Sequence, residues 1–245
     1  MSFNGFNNYI ELIKSGYFIV SLKNQLVITF GSLALTYFLS LILALILHSK
    51  IPFRQLWRTL IILPWVVSPI VKIYVWASIL DVDSGHLNYI LKSLGLIKNY
   101  IGWYTDSCRA AFSIILMITW GCIPFTTLAL LAGLQTIPID NYESASIDGA
   151  SIIGKFRFIT MPHLSKVTMV ATSLLFIWIA NDFPSQYLLT GGGPGAATLT
   201  MVSEAYRQGF RNGNFGYANA YGNSMIVIML IILFIYNRGV SKKAE

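Results

Sequence analysis

From Leu26 to Leu47 the chain runs for 22 residues without an Asp, Glu, Lys or Arg. A helix of that length is about 33 Å long, enough to cross a hydrocarbon core of about 30 Å. A buried helix in a water-soluble domain is usually shorter and keeps a polar face. Four further apolar runs follow: 60–80, interrupted by Pro64 and Pro69 and carrying Lys72; 110–134, uncharged but holding Gly121 and Pro124; 167–189, with Asp182 and Pro184; and 220–236, ending just before Arg238. The expected fold class is an all-α integral membrane protein with five spans. Residues 1–25 form an extracytoplasmic segment, 26–236 a single transmembrane domain, and 237–245 a cytoplasmic tail. The first run does not read as a cleavable signal peptide, because its N-terminal flank is long and no small-residue cleavage site follows it.

Composition agrees. Hydrophobic residues make up 55% of the chain and charged residues 11%, against about a quarter charged in soluble domains. Disorder is excluded, and so is nucleic acid as a partner, because the net charge of +7 comes from basic residues spread along the chain. Cys108 lies in a polar loop and Cys122 inside an apolar run, so no disulfide is expected between them.

Lys and Arg in the loops set the orientation. Lys50, Arg54 and Arg58, then Lys155, Arg157 and Lys166, then Arg238, Lys242 and Lys243 fall on one side. Lys14, Lys23, Lys92, Lys98, Arg109, Arg207 and Arg211 fall on the other, over longer loops. The denser set is expected inside, giving an external N-terminus and an internal C-terminus. On the outer side, Leu87, Ile90, Leu91 and Leu94 have helical spacing, which fits a short helix on the membrane face or a plain connector. Gly191-Gly192-Gly193-Pro194-Gly195 is a turn-forming cluster.

The loop at 135–166 is too polar for the bilayer and too patterned for slack linker. After Pro138, Tyr142, Ala145 and Ser146 share a helical face; Asp148-Gly149 breaks the pattern; Ile152, Phe156 and Ile159 resume it before Pro162 opens the next span. Two short helices joined at a glycine in a left-handed turn make a compact knob. The same loop holds Gly149-x4-Gly154-Lys155-Phe156, seven positions of a phosphate-binding loop. Phe156 replaces the Ser or Thr whose hydroxyl would hold Mg²⁺, and no strand precedes the motif, so nucleotide binding is not expected.

The run Leu134-Gln135-Thr136-Ile137-Pro138 to Glu143-Ser144-Ala145-Ser146-Ile147-Asp148-Gly149-Ala150, with Phe156, Ile159 and Pro162, resembles the EAA loop of ABC-importer permease subunits. Ser144 stands in place of an Ala and Met161 in place of a Leu. Phe53-Arg54 to Arg58 with Leu63-Pro64, the outer-loop Gly85, Asn88, Leu91 and Trp103, Trp120, Thr190-Gly191-Gly192-Gly193-Pro194, and Gly216-Tyr217 with Ala220 resemble the sugar-type permeases. The likeness covers nearly the whole chain. That family usually has six core helices. Phe6-Asn7-Asn8-Tyr9 resembles the segment just after the first of them, so the chain is expected to begin beyond that helix.

The resemblance implies a type I ABC importer permease fold in the cell (inner) membrane and half of an alternating-access pathway for a carbohydrate or sugar derivative. It implies a second permease subunit of different sequence, two cytoplasmic ABC ATPases that bind the ATP and Mg²⁺, and an extracytoplasmic solute-binding protein. This chain would bind no cofactor and catalyse nothing. Tyr142, Glu143, Ala145, Ile147, Asp148, Gly149 and Phe156 would couple the knob to the ATPase, Glu143 by a charge-assisted pair and Gly149 by its turn. For the pathway the candidates are Tyr74, Trp120, Asn181, Asp182, Gln186 and Tyr187, suited to sugar hydroxyls and sugar faces. Helix packing and interface belts are the other reading of these residues. Asp182 and Lys72 are ionisable groups in apolar runs, left open between pairing, lining a path and lying at the outer interface.

Two rival classes find less support. A membrane enzyme would want clustered carboxylates or histidines at one face, and His48, His86 and His163 are scattered. A channel or secondary transporter would be favoured by an internal repeat, and none is visible.

Overall fold

The computed structural model of the chain describes residues 5–49 and 51–244, with side chains through 239. Lys50 and the side chains of Lys242 and Lys243, used above for orientation, lie outside the described residues. Every regular element among those residues is helical: α1 Asn7–Lys14, α2 Gly16–His48, α3 Arg54–Val66, α4 Pro69–Ile79, α5 His86–Ser93, α6 Ser107–Gln135, α7 Ile139–Ile147, α8 Ile152–Ala180, α9 Phe183–Leu188, α10 Met201–Tyr206 and α11 Phe215–Ala244. Four stretches are long and apolar enough to cross a membrane: α2, α6, α8 and Phe215–Gly239 of α11. The α3–α4 pair is a fifth if the broken pair counts as one span.

All five runs differ from their expected bounds. The 60–80 run is two helices, because Ser68 (ψ 138°) precedes Pro69, whose ring disfavours the helical conformation there. Pro64, by contrast, stays within α3. The 167–189 run belongs to a helix that starts fifteen residues earlier, at Ile152, and stops at Ala180. Pro162 therefore lies inside α8. Just ahead of it, Phe156–Thr160 forms a π turn, with Met161 N–H reaching back to the Phe156 carbonyl. A π turn is one way to accommodate a proline ring that clashes with the carbonyl four residues back and offers no N–H. Finally, α2, α6 and α11 run beyond 26–47, 110–134 and 220–236 at both ends.

Two compact units emerge, each drawing on three stretches: 1–32, 67–118 and 178–230 in one; 33–66, 119–177 and 231–245 in the other. The first packs Leu12, Ala180, Met201, Tyr217, Ala220, Tyr221 and Met225 together. The second packs Ala44, Leu47, Leu130, Leu131, Leu134, Ile137 and Leu164. In the second unit a Cβ on Gly133 would sit 2.9 Å from Leu164 Cδ2 and 3.2 Å from Val167 Cγ2, so α6 and α8 approach as closely as they do only because that side chain is missing.

Polarity is inverted along α2. Ser21, Gln25, Thr29, Ser32, Thr36 and Ser40 are at most 4% exposed, while Val27, Phe30, Phe38, Ile42 and Ile46 point outward. Lipid tails are as apolar as leucine, so a membrane helix gains nothing by burying its apolar side; small polar residues give close packing and hydrogen bonds instead. Ser40 Oγ, for example, donates to the Ile123 carbonyl at 3.3 Å.

The loop after α4 is organised by one buried residue. Asn88 Nδ2 donates to the Val82 and Ile101 carbonyls (3.1 and 2.9 Å), and its Oδ1 accepts from Ile101 N–H and Trp103 Nε1 (both 3.2 Å). Helix α5 thus buries Leu87, Asn88 and Leu91 to varying degree and exposes Tyr89, Ile90 and Leu94. Before it, Asp81 closes an Asx turn in which Ser84 N–H, then the Ser84 hydroxyl, hold its carboxyl below the usual carboxylate range.

Candidate functional site

Helix α7 begins after Pro138, whose extended ψ of 137° ends the preceding chain, and stops at Gly149. There φ is +75°, and the Ala150 N–H returns to the Ala145 carbonyl at 2.8 Å, the Schellman arrangement that closes a helix on a left-handed residue. A Cβ at Gly149 would meet no atom within 4 Å. The demand for glycine is therefore conformational rather than steric. Ser151 then caps the start of α8, its Oγ accepting from Gly154 N–H at 3.1 Å.

The seven expected coupling residues fall into two groups. Glu143, Ile147, Asp148 and Gly149 are exposed, Ile147 at 87%. Tyr142 turns inward: its hydroxyl lies 3.0 Å from Thr160 Oγ1, and its ring packs on the Leu130–Leu134–Leu164 cluster. Ala145 and Phe156 are half-buried. The exposed apolar surface comes from Ile152, which the helical spacing picked out, and from Ile139, Ile153 and Phe158, which pattern reading passed over, all exposed between 69% and 86%. Their signal was available: each is an apolar side chain in a loop too polar for lipid. A second tie crosses the glycine turn. Lys155 Nζ donates to Ser146 Oγ at 2.6 Å, and that hydroxyl donates on to the Tyr142 carbonyl at 2.6 Å.

A separate cluster surrounds the end of α8, where the chain breaks at Asn181-Asp182. Asp182 caps α9, its carboxylate accepting Ser185 N–H at 3.2 Å, and Pro184 occupies the first turn where its missing N–H costs nothing. Gln186 is fully buried and donates to the Ile179 carbonyl at 2.8 Å; Gln25, from α2, donates to the Ala180 carbonyl at 3.1 Å. Tyr187 stacks on Phe183 (centroids 5.1 Å apart) and touches Tyr206 (5.2 Å), with the Arg211 guanidinium 5.7 Å from its ring. Asn181 is exposed. Helix α9 packs on α4, which carries Tyr74, 69% exposed. Trp120 is half-buried on α6 and belongs to the other unit.

Two further residues of this cluster escaped the sequence reading. Asn24 Nδ2 donates to the Ala196 and Leu199 carbonyls (2.8 and 3.0 Å) and so ties α2 to the chain just past the glycine cluster. Glu204 is 1% exposed, paired with Arg207 at 2.7 Å and receiving Gln208 Nε2 at 2.7 Å. Its spacing to both, three and four residues along a helix, was the available cue.

Comparison with known proteins places these features. The profile of the family described as "Binding-protein-dependent transport system inner membrane component" matches residues 16–242. A probable ABC transporter permease of Pyrococcus horikoshii is 35% identical over 96% of this chain and 80% of its own length. The trehalose/maltose transport system permease of Thermococcus litoralis is 35% identical over 96% and 78%. The arabinooligosaccharides transport system permease of Bacillus subtilis is 32% identical over 96% and 75%. In fold, the chain superposes on a subunit of a bacterial ABC transporter that imports the acidic polysaccharide alginate, with TM-score 0.87 and 23% identity, over 99% of this chain and 85% of that one. A loop with the EAA pattern closed on a left-handed glycine, set among membrane-length helices and matched nearly end to end by these relatives, identifies the chain as a multi-pass membrane permease of the binding-protein-dependent ABC importers.

Proposed function

We propose that this chain is one of two permease subunits of an importer in the cell (inner) membrane that takes up a carbohydrate or sugar derivative. A second permease of different sequence completes the pathway, two cytoplasmic ATPases drive it, and an extracytoplasmic solute-binding protein delivers the substrate. Several relatives carry sugar-transport names, and a related alginate transporter is known in complex with its saccharide-bound periplasmic protein. This subunit holds no nucleotide of its own. ATP and Mg²⁺ belong to the ATPases, since Phe156 stands where a magnesium ligand would be needed.

One observation carries the coupling role. Around Glu143, a loop too polar for lipid displays Ile139, Ile147, Ile152, Ile153 and Phe158 to solvent. Such a patch calls for a soluble partner with an apolar groove and a cation for the carboxylate. In the pathway, Asn181, Tyr187 and Tyr74 supply the polar and aromatic groups toward substrate; Trp120, on α6, is a separate candidate. Asp182 and Gln186, spent on backbone groups, shape the break that holds them.

The test is reconstitution with the partner subunits in vesicles. Glu143→Ala lowers co-purification of the ATPase, because removing one side of a partly buried charge pair costs a few kcal/mol. ATP-dependent sugar uptake falls with it. Normal ATPase recovery and normal uptake in Glu143→Ala would remove the coupling role.

A further inference from the structure

The phosphate-loop-like spacing of Gly149, Gly154 and Lys155 has no nucleotide to serve, yet all three positions are in use. Gly149 makes the left-handed turn between α7 and α8. Gly154 lies in the first turn of α8, its N–H donating to Ser151 Oγ at 3.1 Å. Lys155 reaches back across the turn to Ser146, on the last turn of α7, at 2.6 Å. On the other side of the same junction, Tyr142 Oη and Thr160 Oγ1 are 3.0 Å apart, and Thr160 is 4% exposed. The two ties flank a glycine that by itself leaves the backbone free to swing.

We propose that Lys155 is a positioning residue for coupling: bound to Ser146, it fixes the angle between α7 and α8, so that a displacement of α7 is passed to the membrane helix instead of being absorbed at Gly149. The chemistry suits the task. A single hydroxyl proton is committed to the Tyr142 carbonyl at 2.6 Å, which leaves the Ser146 lone pairs aimed outward for an ammonium. Lys155 is half-buried, and a partner seated on α7 would exclude water from the bond and strengthen it. The inference rests on the reading of α7 as the ATPase-docking helix, but the brace itself belongs to this subunit alone and is measurable without the ATPase.

The experiment places spin labels at Asn141 on α7 and Lys166 on α8, both exposed, in a chain whose Cys108 and Cys122 are changed to Ser. Distances are recorded on the permease pair in vesicles, first without and then with the ATPase. Lys155→Met is expected to broaden the distance distribution in both states and to lower sugar transported per ATP by about threefold, within the range seen for changes in coupling networks. ATPase recovery stays normal. Lys155→Arg restores a narrow distribution. Ser146→Ala mimics Lys155→Met, and the double variant is no worse than either alone, the signature of one shared interaction. An unchanged distribution in Lys155→Met would overturn the brace, as would additive losses showing that Lys155 acts on the ATPase directly. Should the ATPase fail to engage α7 at all, the docking reading falls, and the distances measured without it still decide the brace.

Discussion

Gln25 and Gln186 donate their side-chain amides to consecutive carbonyls, those of Ala180 and Ile179, at 3.1 and 2.8 Å. These are last-turn carbonyls of α8, whose helical partners are lost when the chain breaks at Asn181. In a bilayer no water replaces them. Gln186→Leu keeps the bulk but removes the shorter of two hydrogen bonds to the Ile179 carbonyl, leaving the one from Asp182 N–H at 3.2 Å, at a cost of about 0.5–1.5 kcal/mol. The purified transporter should melt several degrees lower, since about 1 kcal/mol moves the midpoint of a chain this size by about 2–4 °C. An unchanged midpoint would show that the amide is dispensable.

At Asp182 two substitutions separate capping from charge. The carboxylate accepts Ser185 N–H at 3.2 Å, a bond that Asn can also make. Asp182→Asn should therefore assemble and transport nearly as the parent does, whereas Asp182→Ala loses about 0.5–2 kcal/mol of local stability and part of its uptake. Uptake that collapses in Asp182→Asn while assembly is normal would instead mark the negative charge as a substrate contact.

Because a Cβ at Gly149 would find open space, bulk is not what the site rejects. A β-branched residue at φ +75° costs about 1–2 kcal/mol or more, while Asn visits that region readily. Gly149→Val is expected to insert in the membrane and hydrolyse ATP with its partners yet transport poorly; Gly149→Asn should keep most of its transport. Vesicle uptake measured alongside phosphate release distinguishes them, and equal behaviour of the two variants would refute the conformational account.

Glu204 and Arg207 offer an asymmetric test. Removing the guanidinium strands a carboxylate that is 1% exposed, whereas neutralising the carboxylate leaves an arginine with access to solvent and to the Tyr17 ring, 5.0 Å away. Arg207→Ala should cost about 3–5 kcal/mol and Glu204→Gln much less. Comparing the thermal midpoints of the two variants checks the order, and a reversed order would mean the pair is not electrostatically set.

Much of the architecture is legible in the residues alone, because a bilayer imposes length and apolarity that composition reveals directly. Leu26–Leu47 and Ala110–Leu134 lie within α2 and α6, and the left-handed turn falls where Gly149 stands. Which way a side chain faces is harder to read. In a soluble helix the polar side is outside; along α2 the polar residues from Ser21 to Ser40 are the buried ones. The same inversion explains why Gln186, which suits a sugar hydroxyl, is enclosed, and why Gln25 and Glu204 went unnoticed. Proline misled in a different way. Pro64 and Pro162 both sit inside helices, and the breaks come at Ser68 and Asn181, where a proline one and three residues later marks the start of the next element.

The π turn at Phe156–Thr160 inserts one residue into α8 without ending it. Along a regular helix each residue turns the chain by about 100°. The wider turn takes up that residue, so everything before it, Lys155 and Ser151 and through the glycine turn α7 itself, keeps its direction against the membrane-spanning part. Winding the same residues as an unbroken α-helix would preserve every motif in the loop, yet swing Glu143 and its apolar surround by about 100° around the axis, a swing that deleting one residue would cancel. At this point in the chain, the width of one turn acts as a bearing: it sets the compass direction in which α7 leaves the membrane helix.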